Sequence, residues 1–294
     1  MAKIFDVCIV GSGIAGTFAA FRISEKHQDT KTLLIDVGKP PMKRRRQLEG
    51  FLGCFPTGDG KIYPDDAELV KTLVDGRKVS PAYKWVISKF KNVNPMKLVK
   101  TNKVSNNAKN RLSSNNYDLT YHNYYQWTPK SVHSLSKIIS NNLESSSNIS
   151  FSFDNYVSSI RKVKNNLFSI DTSEGEFLSK KVLICVGRSG WRWVTNLYDD
   201  LGIISNDDYA NFGVRVEMPA KVLSDLNKSH MTLNKKDIEI GPLLWNGTVL
   251  QEDHSDLVIS TFRSNEQRWK TDKVSFSLTK KVFFDDQGSV QADR

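Results

Sequence analysis

The hydrophobic pattern at the start of the chain predicts a strand, a helix and a second strand in succession. Ile4–Val10 is a short apolar run rich in β-branched residues, which is typical of a strand covered on both faces. Apolar and small residues then recur at helical spacing over Ile14–Lys26. A second apolar run, Thr32–Ile35, leads directly into Asp36. This order of elements is typical of one half of a parallel α/β sheet.

The later part of the chain shows shorter periodic segments. Alternation of apolar and polar residues predicts a β-meander that leads into a glycine turn at Gly187. Residues 101–118, approximately, are rich in Asn, Ser and Lys without periodicity, which predicts an exposed flexible excursion. Strands are predicted at 149–153, 156–163, 167–172, 181–186, 212–218, 257–262, 274–278 and 281–284, and helices at 64–74, 81–90, 129–143 and 191–201.

The composition is that of an ordinary globular protein. Hydrophobic residues make up 39% and charged residues 25% of the 294 positions, which excludes wholesale disorder, collagen and coiled coil. No apolar run approaches the ~20 residues that a membrane-spanning helix needs, and no secretory leader is apparent. We therefore expect a cytoplasmic protein without a membrane partner.

The net charge favours one class of partner, and the cysteine spacing excludes two kinds of site. Lysine and arginine number 42 against 32 aspartates and glutamates, and this net charge of +10 favours anionic partners such as nucleotides, nucleic acids or acidic proteins. Cys8, Cys54 and Cys185 are odd in number and widely spaced. This spacing argues against a disulfide framework and a structural zinc site, so no metal is predicted.

A glycine-rich turn, G-x-G-x-x-G, lies between the first strand and the first helix. In such a turn Gly11 permits a tight bend, Gly13 lets the backbone approach a pyrophosphate, and Gly16 lets the helix lie close to the strand. The pyrophosphate then meets the N–H groups at the helix N-terminus. Asp36, twenty positions after Gly16, is placed to accept hydrogen bonds from an adenosine ribose. The turn therefore predicts dinucleotide binding. The alternative is an α/β half of the same construction that binds no nucleotide.

The segments DVCIVGSGIAGTFAAFRI and LLID resemble the FAD-binding flavoproteins that have a glutathione-reductase-type Rossmann domain. More particularly, the chain resembles the poorly characterised FAD-dependent dehydrogenase-like proteins. Four further segments carry this resemblance in the same order, and they lie at residues 53–62 (GCFPTGDGKI), 126–129 (QWTP), 182–190 (VLICVGRSG) and 212–217 (FGVRVE).

The resemblance implies an α/β fold with two domains. A Rossmann-like FAD-binding domain with a parallel sheet and β-meander is expected over residues 1–200, followed by a smaller, β-rich (α+β) substrate domain over 201–294. The activity implied is that of an FAD-dependent oxidoreductase, with hydride transfer through flavin N5 and an unknown substrate. The G-x-x-x-x-G-D segment with which such proteins close the FAD site is not found after Ser260. We therefore expect a shortened homologue, a fragment, or a site that a partner chain completes.

Site residues follow from the motif and the resemblance together. Lys61 is the catalytic candidate, since a cation near the flavin ring would stabilise its reduced anionic form; the alternative is an exposed lysine after a turn. The predicted FAD-binding residues are Gly11, Ser12, Gly13, Ile14, Ala15, Gly16, Asp36, Val37, Arg44, Gly58, Asp59, Gly60, Lys61, Gly187 and Arg188.

Other functions remain open from the sequence. One alternative is a flavin-binding subunit that needs a partner chain, and another is a flavoprotein that binds or acts on nucleic acid through the basic residues 43–46. A solvated loop or contacts with FAD phosphates explain that basic run better. Arg215, within a predicted strand, is placed to face a substrate carboxylate or to form a buried ion pair. The five histidines, which include His122 and His230, show no ligand spacing and are expected to be surface or packed residues.

Overall fold

A computed structural model describes residues 3–40, 43–44, 60–63, 76–93, 98–127, 129–187, 190–204, 209–254, 257–263 and 267–283. Within these ranges the strands are β1 (Ile4–Val10), β2 (Thr32–Ile35), β3 (Gly60–Ile62), β4 (Leu98–Val99), β5 (Asp118–Tyr121), β6 (Tyr124–Trp127), β7 (Ile149–Ser152), β8 (Val157–Val163), β9 (Leu167–Thr172), β10 (Gly175–Ile184), β11 (Tyr209–Pro219), β12 (Met231–Lys235), β13 (Ile238–Ile240), β14 (Leu244–Trp245), β15 (Thr248–His254), β16 (Leu257–Arg263) and β17 (Lys273–Phe283). The α-helices are α1 (Ile14–Lys26), α2 (Gly76–Val93), α3 (Asn106–Ser114), α4 (Pro129–Glu144) and α5 (Trp191–Leu201).

The chain divides into two units, and it passes between them several times. The first unit contains Met1–Pro56, Pro129–Ser205 and His254–Leu257, and the second contains Thr57–Thr128, Asn206–Asp253 and Val258–Arg294. The expected division near residue 200 follows chain order, whereas the structure groups residues 57–128 with the later part of the chain. The reason is strand pairing, because β5 forms hydrogen bonds with β12.

The first unit contains a sheet with the strand order β7-β2-β1-β10-β9-β8. The strands β7, β2, β1 and β10 run parallel, whereas β10, β9 and β8 form an antiparallel meander. In register, Cys8 pairs with Leu33 on one side and with Val182 on the other. This arrangement confirms the predicted α/β class with a parallel sheet and a β-meander.

Apolar side chains of the central strands form the core of this unit. Every residue of β2 is buried, as expected for a strand covered on both faces. Phe5, Cys8 and Leu33 belong to one buried cluster with Leu197 of α5. Helix α1 packs against β1 and β2 and also contacts α4. The parallel strands are therefore sandwiched between helices, which fixes the position of the turn that joins β1 to α1.

The second unit is built on an antiparallel sheet with the strand order β11-β17-β13-β12-β5, to which β14 adds by pairing with β17. One face of this sheet is apolar and carries Met231, Leu233, Val274 and Phe276 in a buried cluster. A smaller sheet has the order β3-β6-β4, and β15 pairs with β16. This unit confirms the expected β-rich, α+β architecture.

Residues 101–118 differ from the prediction. The structure has helix α3 in this stretch, where the Ser105 side chain caps the N-terminus by accepting a hydrogen bond from the Ala108 N–H at 3.2 Å. Val104 and Ala108 are buried in the apolar cluster of the second unit. Leu112 also packs against this cluster from a partly buried position, so the helix contributes few apolar residues, which is why its polar sequence shows no clear periodicity.

No helix within the described ranges combines the length and apolar character needed to cross a membrane.

Candidate functional site

Steric contacts explain two of the three glycines in the turn between β1 and α1. Gly11 has a φ angle of +98°, and a Cβ atom there would lie 2.5 Å from the Cys185 carbonyl oxygen. A Cβ atom on Gly16 would lie 1.9 Å from the carbonyl oxygen of Gly11. Side chains at either position would therefore force the backbone apart, so both glycines serve the close approach of α1 to the sheet.

Gly13 has a different environment. It is the N-cap residue of α1, its φ angle of −65° is open to any residue, and a Cβ atom would meet nothing within 4 Å. The helix has no side-chain cap and no acidic residue in its first turn, and Ile14 and Ala15 beside it are exposed. The first N–H groups of a helix have no intrahelical acceptor and carry partial positive charge. The turn therefore presents a backbone surface that suits an anion.

Asp36 lies at the end of β2, directly beside the turn. Its Oδ2 atom accepts hydrogen bonds from the Ser12 N–H and, at 2.8 Å, from the Ser12 hydroxyl. Its Oδ1 atom accepts from the Gly38 N–H at 2.7 Å. The main chain of Asp36 also bonds to Ser152 and Asn155, so the residue is held from both sides. This carboxylate thus connects the end of β2 to the glycine turn.

Arg44 completes this arrangement. Its guanidinium group donates to Asp36 Oδ1 at 3.0 Å and to the Ser12 hydroxyl at 2.9 Å, and its Nε donates to the Lys39 carbonyl. The side chain is 1% exposed and lies over the ring of Phe153. The structure therefore brings Ser12, Asp36 and Arg44 together, although Arg44 is 32 residues from Ser12. Local sequence patterns give no signal for this pairing beyond the basic run at residues 43–46.

The remaining predicted site residues are distributed between the two units. Val37 is 68% exposed next to Asp36, and Gly187 has a φ angle of +63° with nothing within 4 Å of a Cβ position. Gly187 follows Cys185, whose N–H bonds to Val10, so it lies near the glycine turn. Gly60 and Lys61 lie in β3 of the second unit. Gly58, Asp59, Arg188 and Cys54 lie outside the described residues.

The second unit has a polar sheet face opposite its apolar cluster. Side chains alternate between faces along a strand, so His230 and Thr232 lie opposite the apolar Met231 and Leu233. Just beyond the paired ends of β5 and β12, the His122 N–H donates to the His230 carbonyl oxygen, and His122 Nε2 lies 2.8 Å from the Thr232 hydroxyl oxygen.

By the same alternation, Arg215 on β11 and Ser275 on β17 lie opposite Val216 and Val274 of the apolar cluster. We call the face that carries His122, His230, Thr232, Arg215 and Ser275 the polar face.

Lys61 is part of an aromatic and histidine cluster in this unit. Its ammonium group lies 4.9 Å from the centre of the Tyr124 ring and 5.9 Å from that of Phe262. The Tyr124 ring lies 5.0 Å from the His230 ring, and the Tyr63 ring stacks on His230 at 5.8 Å. Sequence reasoning missed this cluster because Tyr63 and His230 are 167 positions apart.

His230 is buried and its hydrogen bonds fix its tautomer. Nδ1 lies 2.9 Å from the Leu243 carbonyl oxygen, which can only accept, so Nδ1 carries the proton. Nε2 then accepts from the Tyr63 hydroxyl at 3.0 Å. Burial, with a further contribution from the charge of Lys61, lowers the pKa of His230 to about 4. His230 is therefore neutral at physiological pH.

The lowered pKa of His230 predicts a specific loss of stability in acid. Between pH 7 and pH 4.5 the unfolded chain binds a proton at His230 that the folded chain largely does not, so stability falls as the pH falls. We expect this group to contribute roughly 2 kcal/mol to the decrease. Urea unfolding at the two pH values should show a smaller decrease for His230→Gln than for the wild type. The control His133→Gln, at an exposed position on α4, should retain the wild-type decrease, and equal decreases in all three proteins would contradict the assignment.

Comparison with known proteins gives structural matches only. No family model matches the sequence, and no curated protein matches it. Glycine oxidase from Geobacillus kaustophilus is 14% identical, with a TM-score of 0.42 over 97% of this chain and 84% of that chain. NikD, an unusual amino acid oxidase essential for nikkomycin biosynthesis, is 11% identical, with a TM-score of 0.47 over 99% of this chain and 74% of that chain.

A third solved structure, PqsL from Pseudomonas aeruginosa, is described as a probable FAD-dependent monooxygenase. It is 9% identical to this chain, with a TM-score of 0.40, and the match covers 95% of this chain but 61% of PqsL. The chain thus spans less than two thirds of that protein. At such identities the likeness concerns the fold alone.

Proposed function

We propose that this chain is an FAD-dependent oxidoreductase whose first unit binds the ADP half of the cofactor at the glycine turn. The observation that carries the proposal is the N-terminus of α1, where Gly13 leaves an open backbone surface between β1 and Asp36. A strand, a glycine turn, a helix and an acid at the end of the next strand are the parts that dinucleotide binding requires.

The turn fits a pyrophosphate in shape and in charge. Nothing lies within 4 Å of a Cβ position at Gly13, so a phosphate oxygen has room to approach the backbone there. The first turn of α1 contains no acidic side chain that would repel the phosphates. Hydrogen bonds from the helix N–H groups and the positive end of the helix dipole both favour the anion.

Asp36 is placed to accept a hydrogen bond from the ribose, provided that one of its present donors is replaced. Its two oxygens already accept four hydrogen bonds, from the Ser12 N–H, the Ser12 hydroxyl, the Gly38 N–H and Arg44. A carboxylate has about four acceptor positions, so a ribose hydroxyl that donates to Asp36 must replace one of these donors. The Ser12 hydroxyl is the donor we expect to move, because it can rotate while the Ser12 N–H keeps the carboxylate in place.

When bound, FAD would supply hydride transfer through N5 of its isoalloxazine ring. The chain binds the adenosine and pyrophosphate through its first unit and orients the cofactor. On the resemblance described above, Lys61 is proposed to lie near the flavin ring, where its positive charge would stabilise the reduced anionic form. The reaction class is therefore oxidation or reduction of a small organic substrate.

The cofactor proposal predicts a yellow protein. The purified full chain, or the chain after incubation with FAD, should show flavin absorption in the visible range, and denaturation should release FAD identifiable by chromatography. Excess ADP should compete with FAD for the apoprotein, since it has the same adenosine and pyrophosphate groups. A colourless protein that also fails to take up added FAD would contradict the proposal. A chain that binds FAD but reduces or oxidises nothing alone would favour a flavin-binding subunit that acts with a partner.

A further inference from the structure

Arg215 on the polar face has a buried donor atom that lacks a partner. Its Nε donates to the Ser275 hydroxyl at 2.9 Å. Its Nη2 atom is buried and makes no hydrogen bond within the part of the chain that the structure describes. Buried polar atoms in native proteins are nearly always paired, so an unpaired nitrogen on a cation requires an explanation.

The charges around Arg215 do not supply that explanation. Burial lowers the pKa of Arg215, and the nearby carboxylate of Glu217 opposes this effect without cancelling it. Glu217 is exposed, and none of the ion pairs among the described residues includes Arg215. The buried ion pair considered from the sequence is therefore not the arrangement that these residues adopt.

The rest of the polar face supplies hydrogen-bonding groups and charges of both signs. His230 is neutral there, and Thr232 and Ser275 supply hydroxyl groups. Lys61 adds a second positive charge close to His230. By the alternation along β11 and β13, the exposed Glu217 and the partly buried Glu239 also lie on this face, so its charges are mixed. What distinguishes Arg215 is its unpaired buried donor beside the Ser275 hydroxyl, and such charged donors form strong hydrogen bonds with an oxyanion.

We propose that Arg215 binds the carboxylate of a small organic acid on the polar face, and that this acid is the substrate of the oxidoreductase. The substrate role rests on the proposed function, whereas the binding of the acid does not. With its Nε bonded to Ser275, the guanidinium group retains its Nη edge, and such an edge binds a carboxylate through two parallel hydrogen bonds. A monoanion also matches the single charge of the guanidinium group better than a phosphate dianion does.

The test measures binding rather than turnover. Acetate, pyruvate, glycine and benzoate, together with inorganic phosphate, are titrated into the full chain by calorimetry, both with FAD and after its removal. We expect at least one carboxylate to bind saturably and phosphate to bind more weakly. Arg215→Met should weaken that binding about 30-fold or more, and Arg215→Lys should weaken it less, because the lysine keeps the charge but not the bidentate geometry.

Arg111→Gln is the matched control, because Arg111 belongs to the same unit but is exposed and paired with Asp225. This variant should bind the carboxylate as the wild type does. Thermal unfolding adds a readout that separates ligand binding from a structural role. Arg215→Met removes an unpaired buried nitrogen, so its melting temperature should equal or exceed that of the wild type.

Three results would overturn the proposal. They are a wild-type chain that binds none of the carboxylates, carboxylate binding that Arg215→Met leaves unchanged, and tighter binding of phosphate than of every carboxylate. A chain that binds FAD but no carboxylate would overturn this inference and leave the proposed cofactor intact. Carboxylate binding by a chain that never binds FAD would support carboxylate binding at Arg215 and contradict the proposed cofactor.

Discussion

Replacing Gly16 by alanine is expected to destabilise the first unit by about 3 kcal/mol and to abolish FAD binding. The new Cβ atom would lie 1.9 Å from the Gly11 carbonyl oxygen, which is a backbone atom and cannot rotate away. Alanine has the higher helix propensity, but this gain of up to ~1 kcal/mol is smaller than the cost of forcing a helix away from its sheet. Chemical denaturation and FAD titration of the variant would measure both effects.

Gly13→Ala is the informative counterpart of that variant. A Cβ atom at position 13 meets nothing within 4 Å, and the φ angle of −65° is ordinary, so the loss of stability should stay below about 1 kcal/mol. The same methyl group would occupy the space through which a phosphate approaches the backbone, so FAD binding should weaken strongly. Equal stabilities of the two variants would contradict the steric assignment of Gly16. Unchanged FAD binding in Gly13→Ala would place the pyrophosphate elsewhere.

Asp36→Asn is expected to destabilise the FAD-free protein by about 3 kcal/mol. The change removes the Asp36 carboxylate from the Arg44 guanidinium group, whose side chain is 1% exposed. Breaking a buried ion pair by removing one partner costs more than the pair itself contributes, because the remaining charge stays desolvated. The double variant Asp36→Asn with Arg44→Met should therefore recover part of the loss, which a double-mutant cycle in urea would measure.

The pair formed by Arg161 and Asp171 provides the control for this cycle. Its arginine and aspartate side chains are 63% and 32% exposed, so solvent screens their charges. Asp171→Asn should cost less than about 1 kcal/mol, and the corresponding double variant should show little coupling. A coupling between Asp36 and Arg44 no larger than that of the exposed pair would show that burial does not strengthen their interaction.

The first thirty-six residues were predictable because their structure depends on local patterns. The apolar run of β1, the helical spacing of α1 and the buried β2 all appear within a few residues of the positions that the sequence indicates. Gly11 and Gly16 were assigned steric roles from their spacing, and the structure shows the atoms that a side chain would meet. The role of Gly13 in FAD binding remains a prediction, since it concerns a ligand rather than the chain.

Local patterns were insufficient where a segment depends on distant partners. Helix α3 has a polar sequence, and the apolar contacts of Val104, Ala108 and Leu112 are made with strands more than a hundred residues away. His230 could not be distinguished from a surface histidine, because its partners Tyr63 and Leu243 come from two other parts of the chain. The environment that lowers its pKa exists only after those parts have come together.

The sequence by itself determined the α/β character of the first unit and the position of its glycine turn. Both follow from side-chain periodicity and from the conformational freedom of glycine, which act over a few neighbouring residues. The tertiary structure alone decided that Arg44 pairs with Asp36, that residues 57–128 join the second unit, and that Arg215 has an unpaired buried nitrogen. These features depend on strand pairing and desolvation, which arise from contacts between residues far apart in the chain.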